Sequence, residues 1–147
     1  MSRLLTILLL FAGTYSQPGT AQNFMYQAKS IQQMVSSSHD VFVPISKYLR
    51  QGNTEKLSAW FAKNLELDIL GNSNDCSKVQ ATQIIKEFFT TYPPKNFVII
   101  HKSGQAPLKY AIGTLNAGDE KFRVTLFVKT QSSGNLIQQL RIEKGGD

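Results

Sequence analysis

The chain has 147 residues, of which 41% are apolar and 18% are charged, so it is long enough for one domain with a core and too apolar for a disordered chain. Its 16 basic and 10 acidic residues give a net charge of +6, which suits nucleic acid, an anionic membrane surface or acidic glycans as partners. The single cysteine, Cys76, excludes an internal disulfide, so the domain must be stabilised by its core.

The first residues have the order of a secretory signal peptide. Arg3 supplies a positive charge, an apolar run covers residues 4–12, and the small residues Gly19 and Ala21 end the segment. The run is shorter than the ~20 residues that a membrane-spanning helix needs. We therefore expect cleavage near Ala21, no membrane span, and a mature protein that is periplasmic or secreted. Export argues against nucleic acid as the natural partner.

Residues 22–39 form a polar leader with a helical pattern. Its apolar residues recur with the spacing of one helical face: Phe24, Ala28, Ile31 and Val35. This spacing is typical of a short amphipathic helix, and the alternative is a frayed leader to the domain. We divide the chain accordingly into a signal peptide over 1–21, this leader over 22–39, and a single domain over 40–147.

Two helices are predicted at the start of the domain. The first ends at Gly52, because glycine is favoured just past a helix C-terminus. Its apolar stripe consists of Val41, Ile45, Tyr48 and Leu49. The second helix begins with Thr54 as its expected N-cap. Its apolar stripe consists of Leu57, Trp60, Phe61 and Leu65.

A strand, a loop and a third helix are predicted next. Alternation over 65–70 indicates a short strand that turns its leucines one way and Glu66 and Asp68 the other. The Gly, Asn, Ser and Asp residues of 71–75 indicate a loop. Ser77 and Gln80 match a capping box, which opens a helix to about residue 92. The buried stripe of that helix consists of Ile84, Ile85, Phe88 and Phe89.

Four strands are predicted in the remaining sequence. The clearest covers 121–129, where apolar and polar residues alternate without a break. The others cover 95–103, 108–115 and 136–143, with tight turns over 116–119 and 132–135. Helices that are segregated from a mostly antiparallel sheet make an α+β domain. We expect the helices to cover the sheet face that carries Phe122, Val124 and Leu126.

The opposite face of this predicted sheet is mixed. Its apolar residues are Phe127, Ile100 and Ile137. Its basic residues, a candidate basic sheet face, are Lys102, Lys109, Arg123, Lys129 and Arg141. Such a face is often a subunit or partner surface, and the alternative is a solvated face with scattered apolar residues. A homodimer through this face is therefore a candidate assembly.

The order of elements resembles the cone-shaped fold shared by nuclear transport factor two, ketosteroid isomerase and scytalone dehydratase. Three segments, 43–49, 56–61 and 121–127, look like an exported bacterial family known only as a domain of unknown function. The resemblance implies a signal peptide and an α+β, nuclear transport factor two-like cone with helices packed on a curved, mostly antiparallel sheet. It implies no activity, because fold alone does not determine function.

In this fold the open end of the cone can hold a ligand. The residues expected to line such a pocket are Tyr48, Trp60, Phe89, Tyr92, His101 and Tyr110. Isomerase-type members use an aspartate base with a tyrosine and a protonated acid. Tyr48 and Asp68 are rough positional matches, but the central strands offer no second carboxylate, and Asp68 is expected to face away from the core. We therefore assign no catalytic residue.

The other candidate groups are isolated. His101 alternates with Phe97 and Ile99, so we expect it to point inward, although a lone histidine is more often a structural hydrogen-bond partner than a base. Two histidines and one cysteine provide no metal-ligand spacing, and we predict no metal or cofactor. Cys76 precedes a helix and is either a reactive thiol or, the favoured reading, a small buried residue.

The sequence thus predicts an exported, non-enzymatic binding or interaction module for an unknown small ligand or protein partner. Two alternatives stay open. A small pocket enzyme of the isomerase or dehydratase type needs two convergent ionisable groups in one cavity. A scaffold protein of the cell envelope would use the same surfaces as the binding module.

Overall fold

The computed structural model describes residues 23–30 and 40–145. Residues 23–30 are helical, in agreement with the first part of the predicted leader helix. The remainder of that helix and the expected signal peptide lie outside the described residues. Residues 40–145 belong to a separate compact unit, which carries all the elements discussed below.

This unit contains three helices and one six-stranded sheet. In chain order they are α1 (Phe42–Gln51), α2 (Thr54–Ser58), β1 (Phe61–Ile69), β2 (Asn72–Ser77), α3 (Lys78–Thr91), β3 (Pro94–Gln105), β4 (Leu108–Ala117), β5 (Glu120–Gln131) and β6 (Gly134–Lys144). The strand order across the sheet is β2-β1-β6-β5-β4-β3. Strands β3 to β6 form an antiparallel meander, and β1 lies parallel to β6. The predicted α+β class is confirmed.

Helix α1 has the predicted bounds because its local sequence specifies both ends. Pro44 lies in the first turn, where its missing N–H has no helical partner to lose. Ile45 and Leu49 are fully buried, and Gly52 ends the helix with a left-handed φ of 64°. None of the described helices is both long and apolar enough to cross a membrane.

The predicted second helix is wrong beyond Ser58. Asn53, not Thr54, is the N-cap, since its side chain accepts a hydrogen bond from the N–H of Lys56 at 3.1 Å. Helix α2 ends at Ser58, and Phe61 begins β1 opposite Ile137 of β6. Pairing with β6 therefore prevails over the helical spacing of the apolar residues.

The predicted loop over residues 71–75 is also wrong, because all but Gly71 lie at the start of strand β2. Leu70 and Gly71 form a two-residue turn with φ values of 55° and 88°, the signs of a type I′ hairpin. Strand β2 is an edge strand, and Asn72 to Asp75 are exposed. Its polar composition fits an edge that faces solvent, which is why it looked like a loop.

Helix α3 begins with the predicted capping box. The hydroxyl of Ser77 accepts from the N–H of Gln80 at 3.2 Å, and the Gln80 side chain accepts from the N–H of Ser77 at 3.0 Å. The helix buries Ala81, Ile85, Phe88 and Phe89. The ring of Phe88 lies 5.1 Å from that of Phe122 on β5, centroid to centroid, so α3 packs on the predicted face of the sheet.

The buried face of the sheet is the one expected from β5. Phe122, Val124 and Leu126 are fully buried, as are their neighbours Leu140 and Ile142 on β6. We call the opposite side of the sheet the outer face. Arg123, Thr125 and Phe127 mark it, because side chains alternate along a strand.

One extra residue in β3 and one in β6 change the alternation along those strands. On β3, Ile99 lies opposite Gly113 but His101 lies opposite Ile112, so Ile100 has no partner. On β6, Phe127 lies opposite Gln139 but Val128 lies opposite Ile137, so Gln138 has none. These bulges correct two predictions. His101 is on the outer face and exposed, and Ile137 is fully buried.

Candidate functional site

An aromatic row crosses three adjacent strands of the outer face. The rings of Tyr110 and Phe127 are stacked, with centroids 5.5 Å apart and planes 27° apart. The His101 ring lies 5.8 Å from that of Tyr110, and its Nε2 is 3.4 Å from the Tyr110 hydroxyl oxygen. Tyr110 and Phe127 meet because they are directly opposite each other in the β4–β5 register. The row is a preformed apolar platform with one polar edge.

Apolar side chains extend this row over the β3–β4 side of the sheet. Val98 and Leu108 are 51% and 50% exposed, and Ile112 is half-buried beside Tyr110 on β4. Leu136 on β6 is also half-buried. None of the helices α1, α2 and α3 packs on this side, since the buried face is the opposite one. The outer face therefore leaves a contiguous set of apolar residues in contact with solvent.

The rest of the outer face is charged. Arg141 forms ion pairs with two carboxylates. Its Nε lies 3.2 Å from Oδ2 of Asp68 and 3.3 Å from Oε1 of Glu143. Asp68 also accepts the N–H of Gly71 at 3.1 Å. It faces away from the core as expected, yet it is only 8% exposed. Its role here is to bind Arg141 and the hairpin turn.

The candidate basic face is divided between the two sides of the sheet. Arg123, Lys129 and Arg141 are on the outer face, in line with Thr125 and Phe127. Lys102 and Lys109 are not. They lie opposite Ala111 and Val128, two residues of the buried face, and therefore project to the helix side beyond the core.

Lys102 projects to the helix side because of the bulge at Ile100. Lys109 projects to the same side because β4 turns its small residues, and not its large ones, toward the helices. Strand β4 places its small residues Ala111 and Gly113 toward the helices and its large residues Tyr110 and Ile112 outward. The prediction that the larger side chains of β4 face the core is wrong, because the two sides of this strand are exchanged. The alternation of small and large residues was the signal that could have revealed the outer apolar patch.

The structure does not bring the six expected pocket residues together. Tyr48, Trp60 and Tyr92 are partly buried against the core, and Phe89 is 7% exposed. His101 and Tyr110 are on the other side of the sheet. Phe88, Phe89 and Phe122 are buried where α3 meets the sheet, so aromatic side chains occupy this part of the cone.

Surface grooves border the helices, and two of them touch α2 or α1. One, of about 580 Å³, lies between α2 and α3 and is lined by Thr54, Gln83, Lys86 and Phe89 among others. The other, of about 380 Å³, lies between α1 and β3. No sequence pattern predicts the second groove, because it depends on how α1 meets the edge strand β3.

The candidate catalytic groups are separated. Tyr48 is on α1, on the helix side of the sheet, whereas Asp68 is on the outer face beside Arg141. Burial, together with the charge of Asp75, raises the pKa of the Cys76 thiol, as expected for a buried structural cysteine. Within residues 23–30 and 40–145, no group of three His, Cys, Asp or Glu side chains is placed to hold a metal ion.

Comparison with known proteins identifies relatives over almost the whole domain. The family model for a domain of unknown function, DUF4783, matches residues 42–143. A DUF4783 family protein from Bacteroides ovatus is 28% identical, with a TM-score of 0.68 over 71% of this chain and 96% of that chain. One from Bacteroides uniformis is 23% identical, with a TM-score of 0.70 over 74% of this chain and 100% of that one.

A more distant likeness extends to the wider fold. An NTF2-like protein of unknown function from Cytophaga hutchinsonii is 9% identical, with a TM-score of 0.54 over 72% of this chain and 88% of that chain. Curated protein sequences provide no match. The expected nuclear transport factor two-like cone is thus confirmed, and the chain belongs to the DUF4783 family.

Proposed function

We propose that this chain is an exported, non-enzymatic interaction module that associates with a second copy of itself through the outer face. The observation that carries this proposal is the aromatic row of His101, Tyr110 and Phe127, with Val98 and Leu108 half-exposed beside it. An aromatic surface flanked by apolar side chains has the composition of an interface centre. Covering it releases water from apolar surface, which favours association.

The charges of the outer face favour a second copy as the partner. A twofold dimer places the same patch of both subunits together, so the patch must be complementary to itself. Arg123 and Lys129 on β5 are basic, whereas Glu66 on β1 and Glu143 on β6 are acidic. Each copy therefore presents both signs of charge around the apolar centre, as a self-complementary surface requires.

Catalysis receives less support than binding. Tyr48 and Asp68 lie on opposite sides of the sheet, and Asp68 is held by Arg141 and the N–H of Gly71. An acid–base site needs two ionisable groups within reach of one substrate.

Export is supported by the charged, apolar and small-residue order at the N-terminus, with cleavage near Ala21. Amino-terminal sequencing of the protein recovered from the periplasm or medium tests the export step.

Sedimentation equilibrium of the mature protein tests the association. We expect a dimer at micromolar concentration and a monomer for Val98→Arg and Phe127→Arg, since each places a charge in the apolar centre. Val79→Arg is the matched control, because Val79 is 79% exposed on α3, away from the outer face. The control should remain dimeric, and circular dichroism checks that each variant is folded.

A wild-type protein that stays monomeric at the highest soluble concentration would overturn the proposal. So would a folded Val98→Arg variant with the same dimer dissociation constant as wild type. Weakening of the dimer by Val79→Arg to the same extent would assign the interface to another surface.

A further inference from the structure

A cationic groove lies between α1 and the edge strand β3, on the side of the sheet opposite the proposed dimer face. Its volume is about 380 Å³, within the range of small-molecule sites. Helix α1 contributes Val43, Lys47 and Arg50, which share one helical face because they are spaced by four and three residues. Strand β3 contributes Ile99 and Lys102.

The charges of this groove are not balanced. Lys47, Arg50 and Lys102 are basic, and Asp40 is the single carboxylate in its lining. Asp40 is already bound to Lys102, with an Oδ2–Nζ distance of 2.5 Å. Among the described residues, neither Lys47 nor Arg50 has a carboxylate within ion-pair distance. The groove therefore has two cations available for an anion.

Arg50 is also held in place for such a contact. Its Nη2 donates to the carbonyl oxygen of Phe97 at 3.3 Å, which fixes the guanidinium at the edge of β3. A guanidinium has five N–H donors, so further donors remain for a carboxylate. A fixed donor loses less side-chain entropy when a ligand binds than a free one does.

Polar and apolar groups complete the groove. Ser46 lines it, and its hydroxyl oxygen is buried with no hydrogen-bond partner among the described residues. Phe42 and Ile99 supply apolar walls, and Val43 is 53% exposed. A simple inorganic anion would use the cations and leave these apolar surfaces in water.

We propose that this groove binds a small amphipathic carboxylate, that is, an organic acid with an apolar body. The carboxylate contacts Arg50 and Lys47, and the apolar body covers Ile99 and Val43. Charge-assisted hydrogen bonds fix one end of the ligand, and burial of its apolar part adds affinity. This site is independent of the outer face.

An NMR titration of the mature protein with sodium octanoate tests the proposal. We expect saturable shifts of amide resonances in residues 42–50 and 97–102, and at least about tenfold weaker binding of octanamide, which has the same chain without the charge. Sodium sulfate, which has charge without an apolar body, should also bind more weakly than octanoate.

Single substitutions test which basic side chains bind the carboxylate. Lys47→Gln should weaken octanoate binding several-fold and Arg50→Gln about tenfold, since a guanidinium can hold a carboxylate with two hydrogen bonds. Lys63→Gln, an exposed lysine on β1, is the matched control and should leave binding unchanged. Because Arg50 also contacts the backbone of β3, Lys47→Gln provides the test if Arg50→Gln unfolds.

Three results would overturn the proposal. They are equal affinities for octanoate and octanamide, saturation of shifts that lie outside the two segments, and equal loss of binding in Lys63→Gln and Lys47→Gln. Tighter binding of a short acidic peptide than of octanoate would instead assign the groove to a protein segment.

Discussion

The ring of Phe97 lies directly against Gly113 across the β3–β4 pair. A Cβ atom added at Gly113 would stand 2.5 Å from Phe97 Cε2 and 2.9 Å from the carbonyl oxygen of Val98, both below van der Waals contact. Phe97 is fully buried, so its ring has no free space into which it can move. This pair lies on the side of β4 that faces the helices, where position 113 has room only for glycine, while Tyr110 and Ile112 project to the outer face.

Gly113→Ala should destabilise the protein by about 1–3 kcal/mol, because it overpacks a fully buried site. Urea unfolding of the purified variant measures the change. Phe97→Leu in the same background removes the ring that the new methyl group meets, so the double variant should lose less than the sum of the two single losses. Strict additivity of the two changes would show that the clash is not the cause.

Leu70→Asn should raise the free energy of unfolding by about 0.5–1 kcal/mol, because asparagine adopts positive φ more readily than leucine and Asn-Gly is the preferred type I′ pair. Leu70 has a φ of 55° and is 39% exposed, so little packing is lost. Thermal unfolding provides the measurement. Gly71→Ala is the comparison and should destabilise, since Gly71 has a φ of 88°. A lower melting temperature for Leu70→Asn would contradict this interpretation of the turn.

Asp40 should make the protein more sensitive to acid than its exposed carboxylates do. Burial alone would raise the pKa of Asp40, but hydrogen bonds from Lys102 and the N–H of Phe42, with the charges of Lys102 and Lys109, lower it below its ordinary value of 3.8. A lowered pKa in the folded state gives stability that is present above pH 3.8 and is lost as the pH falls through the folded value. Asp40→Asn should remove this pH-dependent contribution to the free energy of unfolding.

Urea unfolding at neutral pH and near pH 3 measures the difference. Asp40→Asn keeps an oxygen that accepts the N–H of Phe42, whereas Asp40→Ala also removes that contact at the start of α1 and should cost about 1 kcal/mol more. Asp119→Asn is the control, since Asp119 pairs with Lys95 at 3.5 Å but is fully exposed. An acid response of Asp40→Asn equal to that of wild type would refute this role for Asp40.

Cys76 should react slowly with iodoacetamide in the folded protein. Burial and the charge of Asp75 raise its thiol pKa, so less thiolate is present at neutral pH than in the unfolded chain. The raised pKa also implies that this group's contribution to stability holds at neutral pH and falls as the pH rises past the unfolded thiol pKa. Mass spectrometry of alkylation with and without urea, across alkaline pH, checks both points. Similar rates at neutral pH in the two conditions would contradict the buried assignment.

Much of the fold follows from local sequence, and the exceptions have identifiable causes. The capping box at Ser77 and the strand around Val124 were predicted because each depends on residues close in sequence. The end of α2 and the start of β1 at Phe61 depend on β6, which is distant in sequence. The type I′ turn at Leu70 lacks the usual asparagine, so the hairpin that it forms was not recognised.

The binding surfaces were less predictable than the fold. The bulges at Ile100 and Gln138 each insert one residue and reverse the alternation beyond them, and nothing in the local sequence indicates either. As a result, His101 was assigned to the interior and Lys102 to the outer face. The groove beside Arg50 arises only when α1 meets β3, so no linear pattern predicts it.

The parallel pairing of β1 with β6 affects how the protein assembles. During synthesis β1 is made before the other described strands and β6 after them, so until then β1 can pair only with β2. Contacts between segments so distant in sequence form slowly, because a long loop must close first. Truncation within β6 should therefore leave β1 without its parallel partner, and the domain would stay incompletely folded until β6 has been synthesised.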